Sequence, residues 1–468
     1  MLSEAEANAR LRAFEDETGA FAFIVGGVSA WRVIRFPVAL ALQGIALSPP
    51  RLGRRALLTH AWRSFMDLMF CRGGKAYAVK SYVSALRFRG PDGAEDIYFN
   101  KLLREIPGGV YLYSLNAAAN TPSPWLGRVN AINTTAIQVL AGILARLLPK
   151  SGEAAAIERL AELIRERLGV QDFPAARILR MVSSLHWQAR LNGWLLGRLG
   201  VKWVLAADTG ERALIKACRD RGVRFAELQH GIYTEDHPDA LAASTPLGAC
   251  PVTALLLPDR LALYGEYWAA RQRDTLAART GGTILVGAAI IDWARELRSA
   301  WRADPRRPRL VVTAQGFDQG ALASFLDEFL TAYSGDCELI VRLHPAYSRG
   351  AGGYEELIAR DSRIRVQPGA AQPNTYQLIA EADLHLSIAS ACHFDALAIG
   401  TPTGVIRLEG WELVAGLVAE GCALDLTDPG ALAAVVDSQV WNPGGLLERD
   451  YYCQPGFVDN VSTLLKTR

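Results

Sequence analysis

Between Arg309 and Ile406 the chain repeats one rhythm, a short apolar run rich in β-branched residues followed by a longer stretch of helical periodicity. Runs at 309–313, 338–343, 363–366, 383–387 and 403–406 read as strands, and 321–333, 354–360, 375–381 and 391–399 read as helices. Strands that are apolar on both faces and joined by helices pair in parallel, because each crossover returns the chain to the same end of the sheet. The rhythm therefore predicts a Rossmann-like lobe. A looser version precedes it: strand 203–207, helix 211–221, strand 224–228, then a strand and helix within 260–278. Short strands at 67–71 and 110–114 and helices at 131–148, 154–168 and 175–199 complete a first α/β lobe. Residues 1 to 65 add a helical appendage broken at Pro49-Pro50.

A chain of 468 residues exceeds what one core ordinarily holds. Gly281-Gly282 and the apolar run 283–291 put the boundary near residue 280. The expectation is an α/β protein with a central cleft, its first lobe over 1–280 with the helical N-terminal appendage and its second over 281–468. Hydrophobic residues make up 50% of the chain, charged ones 21%, and the net charge is +2, which describes a globular protein and gives no reason to expect nucleic acid as a partner. The seven cysteines are scattered and never form a CxxC pair, so a reducing cytoplasm is the natural compartment.

The apolar stretch 21–47 is interrupted by Arg32, Arg35 and Pro37 and does not read as a membrane-spanning helix. No acidic residue lies between Glu17 and Asp67, while Arg32, Arg35, Arg51, Arg54, Arg55 and Arg63 accompany Trp31 and Trp62. A second acid-free stretch, 173–207, carries Arg177, Arg180, Arg190, Arg198 and Lys202 with Trp187 and Trp194. Both stretches predict contact with an anionic membrane surface from the cytoplasmic side.

Two histidine turns close strand-like runs in different halves, Gln229-His230-Gly231 after 224–228 and Arg342-Leu343-His344-Pro345 after 338–343. Strand ends are where open α/β sheets bind ligands. Arg342 and His344, two residues apart on an extended segment, project to one face and together suit a phosphate whose charge grows as a bond breaks. A strand-end turn with a surface arginine is the structural alternative. In Ser387-Ile388-Ala389-Ser390, Ser390 reads as a helix N-cap able to offer its hydroxyl and nearby amides to an anion, and Asp395 one turn later suits ribose hydroxyls; ordinary capping explains the same residues. Gln315-Gly316 adds a third polar turn at a strand end.

On the first lobe, His230 suits a general base, with Gly231 leaving room for substrate, and a buried structural histidine is its alternative. Glu95, Asp96, Glu227, Asp236 and His237 are rival acceptor-side groups, with Gln229 beside them; His60, His186, His385 and His393 read as structural. No metal-ligand spacing, DxD-like strand end, GxSxG elbow, Walker loop or GxGxxG occurs, so the expectation is chemistry without a metal or cofactor.

Together, Gln229-His230-Gly231, Arg342-Leu343-His344-Pro345 and the 387–403 segment resemble bacterial GT-B glycosyltransferases of surface-polysaccharide (capsule and lipopolysaccharide) assembly, with kinship to the capsule, sialyltransferase-like and CDP-glycerol transferase groups. The resemblance spans about 200–410. It implies a GT-B fold and a nucleotide-sugar donor, cytidine-linked, bound as substrate, with His344 on its phosphate and His230 in catalysis. The implied acceptor is a glycan or lipid-linked glycan. It departs from the family at Asp395, where many relatives carry a glutamate, and at Gln229-His230-Gly231, where sialyltransferase groups carry two acids before the glycine. A CDP-polyol phosphotransferase, a nucleotide-sugar 2-epimerase of the same fold and a non-catalytic scaffold are the alternatives.

Overall fold

A computed structural model describes every residue except 1, 3, 46–53, 82–85, 91–92, 115–123, 150–152, 209, 234–236, 238, 316–318, 345–352, 370, 442–447 and 468. Two small hairpins, β1 (Ile24–Val25) with β2 (Val28–Ser29) and β4 (Leu86–Gly90) with β5 (Gly93–Asp96), flank two large sheets. The first sheet contains β3 (Tyr77–Ser81), β6 (Gly109–Tyr113), β7 (Ala131–Asn133), β8 (Trp203–Ala207), β9 (Arg224–Leu228), β10 (Arg260–Leu263) and β11 (Thr283–Leu285). It is parallel throughout, in the order β11-β10-β9-β8-β3-β6-β7. The second contains β12 (Arg309–Thr313), β13 (Glu338–Arg342), β14 (Ile364–Gln367), β15 (Leu384–Ser387), β16 (Thr403–Ile406) and β17 (Leu424–Leu426), also parallel, in the order β14-β13-β12-β15-β16-β17.

The central strands show why. Every residue of β8 is buried, as are those of β15 and β16, so helices must cover both faces and the alternation of a half-exposed strand is absent. The two-lobed α/β arrangement expected from the rhythm is the one observed. Both sheets change direction of growth midway, the first between β3 and β8 and the second between β12 and β15. At such a switch point the crossovers leave to opposite sides and open a crevice at the carboxyl ends of the strands.

Three boundaries differ from expectation. Residues 67–70 end the helix Arg54–Phe70 and are not a strand; that helix turns most of its apolar residues outward while burying His60 and Ser64 with Leu68, which hides the usual inward apolar period, and β3 supplies the missing strand. The 131–148 helix begins as β7 and becomes helical only at Thr135. The chain crosses between lobes later than residue 280, since β11 still pairs with β10 in the first sheet, whereas the helix Ala289–Ala300 packs on the second-lobe helices Thr375–Ala380 and Cys392–Ile399. The C-terminal helix Phe457–Lys466 then returns to the first lobe, where Phe457, Val461 and Leu464 join a core with Tyr77, Tyr111 and Trp203.

The N-terminal appendage is seated by buried polar groups. Arg35 pairs with Glu15 at 2.6 Å, Trp31 donates its indole N–H to the same carboxylate at 2.8 Å, and Arg32 reaches Asp239 at 3.4 Å and the Asp239 carbonyl at 3.0 Å. Isolated charges at that depth would be costly; here each has an opposite charge or a carbonyl.

Candidate functional site

The carboxyl ends of both sheets face one another across a cavity of about 800 Å³. From the first lobe come Ala94 and Ile97 beside the second hairpin, His230, Gly231 and Ile232 after β9, and Tyr264 and Trp268 after β10. From the second come Thr313 to Gln315 after β12, Arg342 to His344 at the end of β13, the 369–376 loop after β14, and Ala389 to Cys392, Phe394 and Asp395 after β15. The volume is that of a small-molecule site, and the second-lobe wall stands at the β12/β15 switch point. The back wall is aromatic: Trp268 lies 4.9 Å from Phe394 and Tyr267 5.3 Å from Tyr452, ring centre to ring centre.

The turn at the switch point is built from side chains locked on backbone. Gln315 donates its amide to the Ala389 carbonyl at 2.7 Å and accepts the Ala389 N–H at 3.0 Å, so one side chain pins the β12 and β15 ends together. The helix Cys392–Ile399 starts there, Ser390 Oγ accepting the Cys392 N–H at 3.2 Å, and its first turn points into the cavity with Asp395 on the same wall. A helix start in a crevice is a preformed anion site, its amides and dipole facing the ligand. His344 is exposed on the opposite side of this wall.

Two expected donor residues take other roles. Ser387 is fully buried and donates to the Thr313 carbonyl at 2.6 Å, because it still belongs to β15 and its side chain falls inside the sheet layer. Arg342 borders the cavity, yet its guanidinium turns away from it: Nη1 donates to the carbonyls of Pro368 at 2.6 Å and Ala371 at 3.0 Å, and Nη2 to Gln367 Oε1 at 2.9 Å and to the Pro373 carbonyl. All four Nη hydrogens of the fork are used on Gln367, Pro368, Ala371 and Pro373, so in this conformation Arg342 holds a loop and its terminal nitrogens are engaged there. Burial lowers its pKa to about 10. Gly316 and Pro345 lie outside the described residues.

On the first lobe, of the expected residues that are described, His230 and Gly231 alone reach the cavity. Gln229 is buried behind them, donating to the Gly231 carbonyl at 2.9 Å and accepting the Tyr264 N–H at 2.9 Å, which fixes the turn that presents His230. Tyr98 adds a bond from its hydroxyl to the His230 carbonyl at 3.0 Å. Asp96 acts one step further back. It is fully buried, accepts the N–H groups of Tyr98 and Phe99 at 2.9 and 2.7 Å, the Tyr111 hydroxyl at 2.9 Å and the Ser81 hydroxyl, and so shapes the turn without reaching a substrate; burial pushes its pKa up. Glu95, equally buried, pairs with Arg104 and accepts from Asn100.

Glu227 and His237 are also withdrawn from the acceptor side. Glu227 sits in a buried cluster with Arg32, Arg212, Asp239 and Tyr233, around a void of about 20 Å³, too small for a ligand, and burial first and Asp239 second push its pKa to about 8. His237 is stacked 6.0 Å from Phe36 and accepts the Asp239 N–H at 3.1 Å, with burial lowering its pKa. Asp236 lies outside the described residues. Among the histidines read as structural, His385 is held between Thr313 and Thr403 at 2.9 and 2.8 Å, and His393 lies 2.7 Å from the same Thr403 hydroxyl. Burial keeps both neutral, His393 with a pKa of about 3.

The 369–376 loop and the aromatic wall are lining elements that motif reading passed over. The signal was the Pro368-Gly369 break directly after β14, a strand end like the other three, but without an imidazole or a charge to mark it. Asn374 closes the loop by capping the next helix, accepting the Gln377 N–H at 2.9 Å.

No family model matches this chain, and no curated protein matches it. Among solved structures it is similar to the wall teichoic acid polymerase TagF in a form soaked with CDPG, at 12% identity over 92% of this chain and 96% of that one, with a TM-score of 0.48. It is similar to MurG of Acinetobacter baumannii at 12% identity over 84% and 99%, with a TM-score of 0.48. A UDP-GlcNAc 2-epimerase from Neisseria meningitidis bound to UDP-GlcNAc gives 13%, 84% and 100%, and a TM-score of 0.49. At such identities and scores these likenesses leave the fold to be defined by the two sheets themselves. Those sheets define a GT-B architecture, two Rossmann-like lobes facing a cleft.

Proposed function

We propose that the protein is a GT-B glycosyltransferase that moves a sugar from a nucleotide-linked donor, cytidine-linked, onto a glycan or lipid-linked glycan acceptor of a bacterial surface polysaccharide. The observation that supports it is the division of the cleft. The second-lobe wall offers a helix start, Ser390 and His344 to a phosphate, Asp395 to ribose hydroxyls and a loop held by Arg342 to a base, while the first-lobe wall offers one imidazole, His230, to a hydroxyl. A group that loses a proton and a group that leaves with negative charge are then held from opposite sides, and much of the rate comes from positioning. The reaction belongs on the cytoplasmic side of the membrane, where this reading expects both the donor and the acceptor headgroup.

Thermal unfolding with CMP, CDP, UDP and GDP tests the donor half: a ligand bound at a hundred times its Kd stabilises the fold by about 2.7 kcal/mol. Stabilisation by a cytidine nucleotide and not by the others is expected, and no response to any of them would sink the reading. Product analysis with and without acceptor separates transfer from 2-epimerisation, which consumes no acceptor.

A further inference from the structure

The helices Arg54–Phe70, Thr135–Leu147 and Ala175–Leu199 pack side by side on the first lobe, and none of their residues lines the cleft. A helix laid on a sheet needs one apolar stripe. The first two carry an outward apolar stripe beyond anything the inward face accounts for. In Arg54–Phe70, His60, Ser64 and Leu68 face inward, while Leu58, Trp62, Phe65, Met66, Met69 and Phe70 recur at three- and four-residue spacing on the outside, Leu58 and Phe70 about as exposed as surface lysines, at 70% and 72%. In Thr135–Leu147, Ala136, Ile137, Ala141 and Ala145 face inward, and Leu140, Ile143 and Leu147 face out, continued by Leu148. Trp62 and Phe65 stack on each other at 5.9 Å. Two adjacent helices thus present one continuous apolar surface, larger than the scattered exposure normal in a soluble monomer.

On the three helices themselves the exposed charges have one sign. Arg63, Arg146, Arg180 and Arg190 are exposed, and the third helix adds Trp187 and Trp194, with Arg190 over the first ring at 5.7 Å and Arg198 over the second at 5.9 Å. The single acid on these three helices is Asp67, and its carboxylate is engaged by the Asn133 N–H at 3.0 Å. An apolar stripe bordered by tryptophan and arginine and free of available acid complements an anionic bilayer, with apolar side chains in the acyl boundary and cations among the phosphates. A second copy of the chain fits poorly, because a two-fold contact through this face sets arginines against arginines. Among the described residues no helix is long and apolar enough to cross a membrane, so contact through this face is from one side.

We propose that this three-helix face docks the protein on an anionic bilayer. The inference goes beyond the transferase reading and stands without it. It also relocates the membrane contact expected from the sequence. The helix Ala30–Leu42 buries Trp31, Arg32 and Arg35 against Glu15 and Asp239, so that part of the first acid-free stretch is interior, whereas Thr135–Leu147, outside both stretches, supplies part of the apolar surface.

Cosedimentation of the full chain with vesicles tests it. The wild type should partition at least tenfold more strongly to phosphatidylcholine vesicles containing phosphatidylglycerol than to phosphatidylcholine alone, and added salt should weaken the binding. Trp62→Ser with Leu147→Ser should lower binding at least tenfold at an unchanged melting temperature. Arg63→Gln with Arg190→Gln should lower it about fivefold per charge at low salt; these side chains lie outside every core, so this pair decides the matter if the first alters the fold. Absent or equal binding to the two vesicle types, or wild-type binding by the arginine pair, overturns the proposal. So does a dimer, seen by light scattering, that the Trp62/Leu147 variant dissociates.

Discussion

At His344 and Arg342 the same strand end holds two nitrogen-bearing side chains with different employment. His344 is exposed to the cavity, so His344→Ala should lower turnover at least about tenfold, the usual loss when one donor to a developing charge is removed. Arg342→Ala should act differently, because it frees the 367–373 segment and not a phosphate. The expected signature is a donor KM raised severalfold with a smaller change in kcat, and a kcat loss equal to that of His344→Ala would contradict the positioning role. Glu227 supplies a second test at this scale. Its folded pKa, about 8, lies above the ordinary 4.5, so the folded state holds a proton that the unfolded state has released over that interval. Its contribution is complete below about pH 4.5 and is lost as pH rises toward 8. Glu227→Gln keeps a neutral side chain at every pH, so its melting temperature should gain on the wild type as pH rises from 5 to 8. A constant difference would mean that Glu227 is ionised in the fold.

Among the elements, sequence reading succeeded where a strand is buried on both faces and failed where a helix turns its apolar side outward. The strands Trp203–Ala207, Arg309–Thr313 and Thr403–Ile406 carry short apolar runs with turn residues at their ends, Arg224–Leu228 does so around one buried acid, Glu227, and all four form as the pattern requires. Residues 67–70 look equally apolar but continue a helix whose apolar stripe faces outward. At the site, the strand-end turns around His230, Gln315, His344 and Ser390 were legible because Gly, Pro and imidazole punctuate them. The direction of each side chain was not. Ser387 and Asp96 fall inside their layers, and Arg342 bends back on its neighbouring loop, since the atoms that Ser387 and Arg342 meet belong to other segments of the chain and Asp96 is claimed by its own turn and by Ser81 and Tyr111 on neighbouring strands.

For the whole molecule, two glycines separate the scaffold from the cleft. Gly287 sits where the chain leaves the first sheet for the second lobe, in the left-handed region at φ +74°, and a Cβ there would lie 1.9 Å from the Gln454 carbonyl. That carbonyl belongs to the segment returning from the second lobe, held by the Gln454 N–H to the Tyr264 carbonyl at 2.7 Å and by Arg295 to the carbonyls of Cys453 and Arg449 at 2.8 and 3.0 Å. Gly287→Ala therefore forces apart the two passages of chain that join the lobes, on top of about 1–2 kcal/mol for the left-handed backbone. Gly231 is the opposite case: a Cβ there meets nothing within 4 Å, and the residue lines the cavity. Gly231→Ala should leave the melting temperature within about 1 °C of the wild type, whereas Gly287→Ala should lower it by about 3 °C or more, as a loss of a few kcal/mol does in a chain of this size. Nucleotide titration of the two variants completes the comparison. Weaker binding in Gly231→Ala at unchanged stability would mark the 230–231 turn as a wall of the occupied site, and unchanged binding would remove that turn from it.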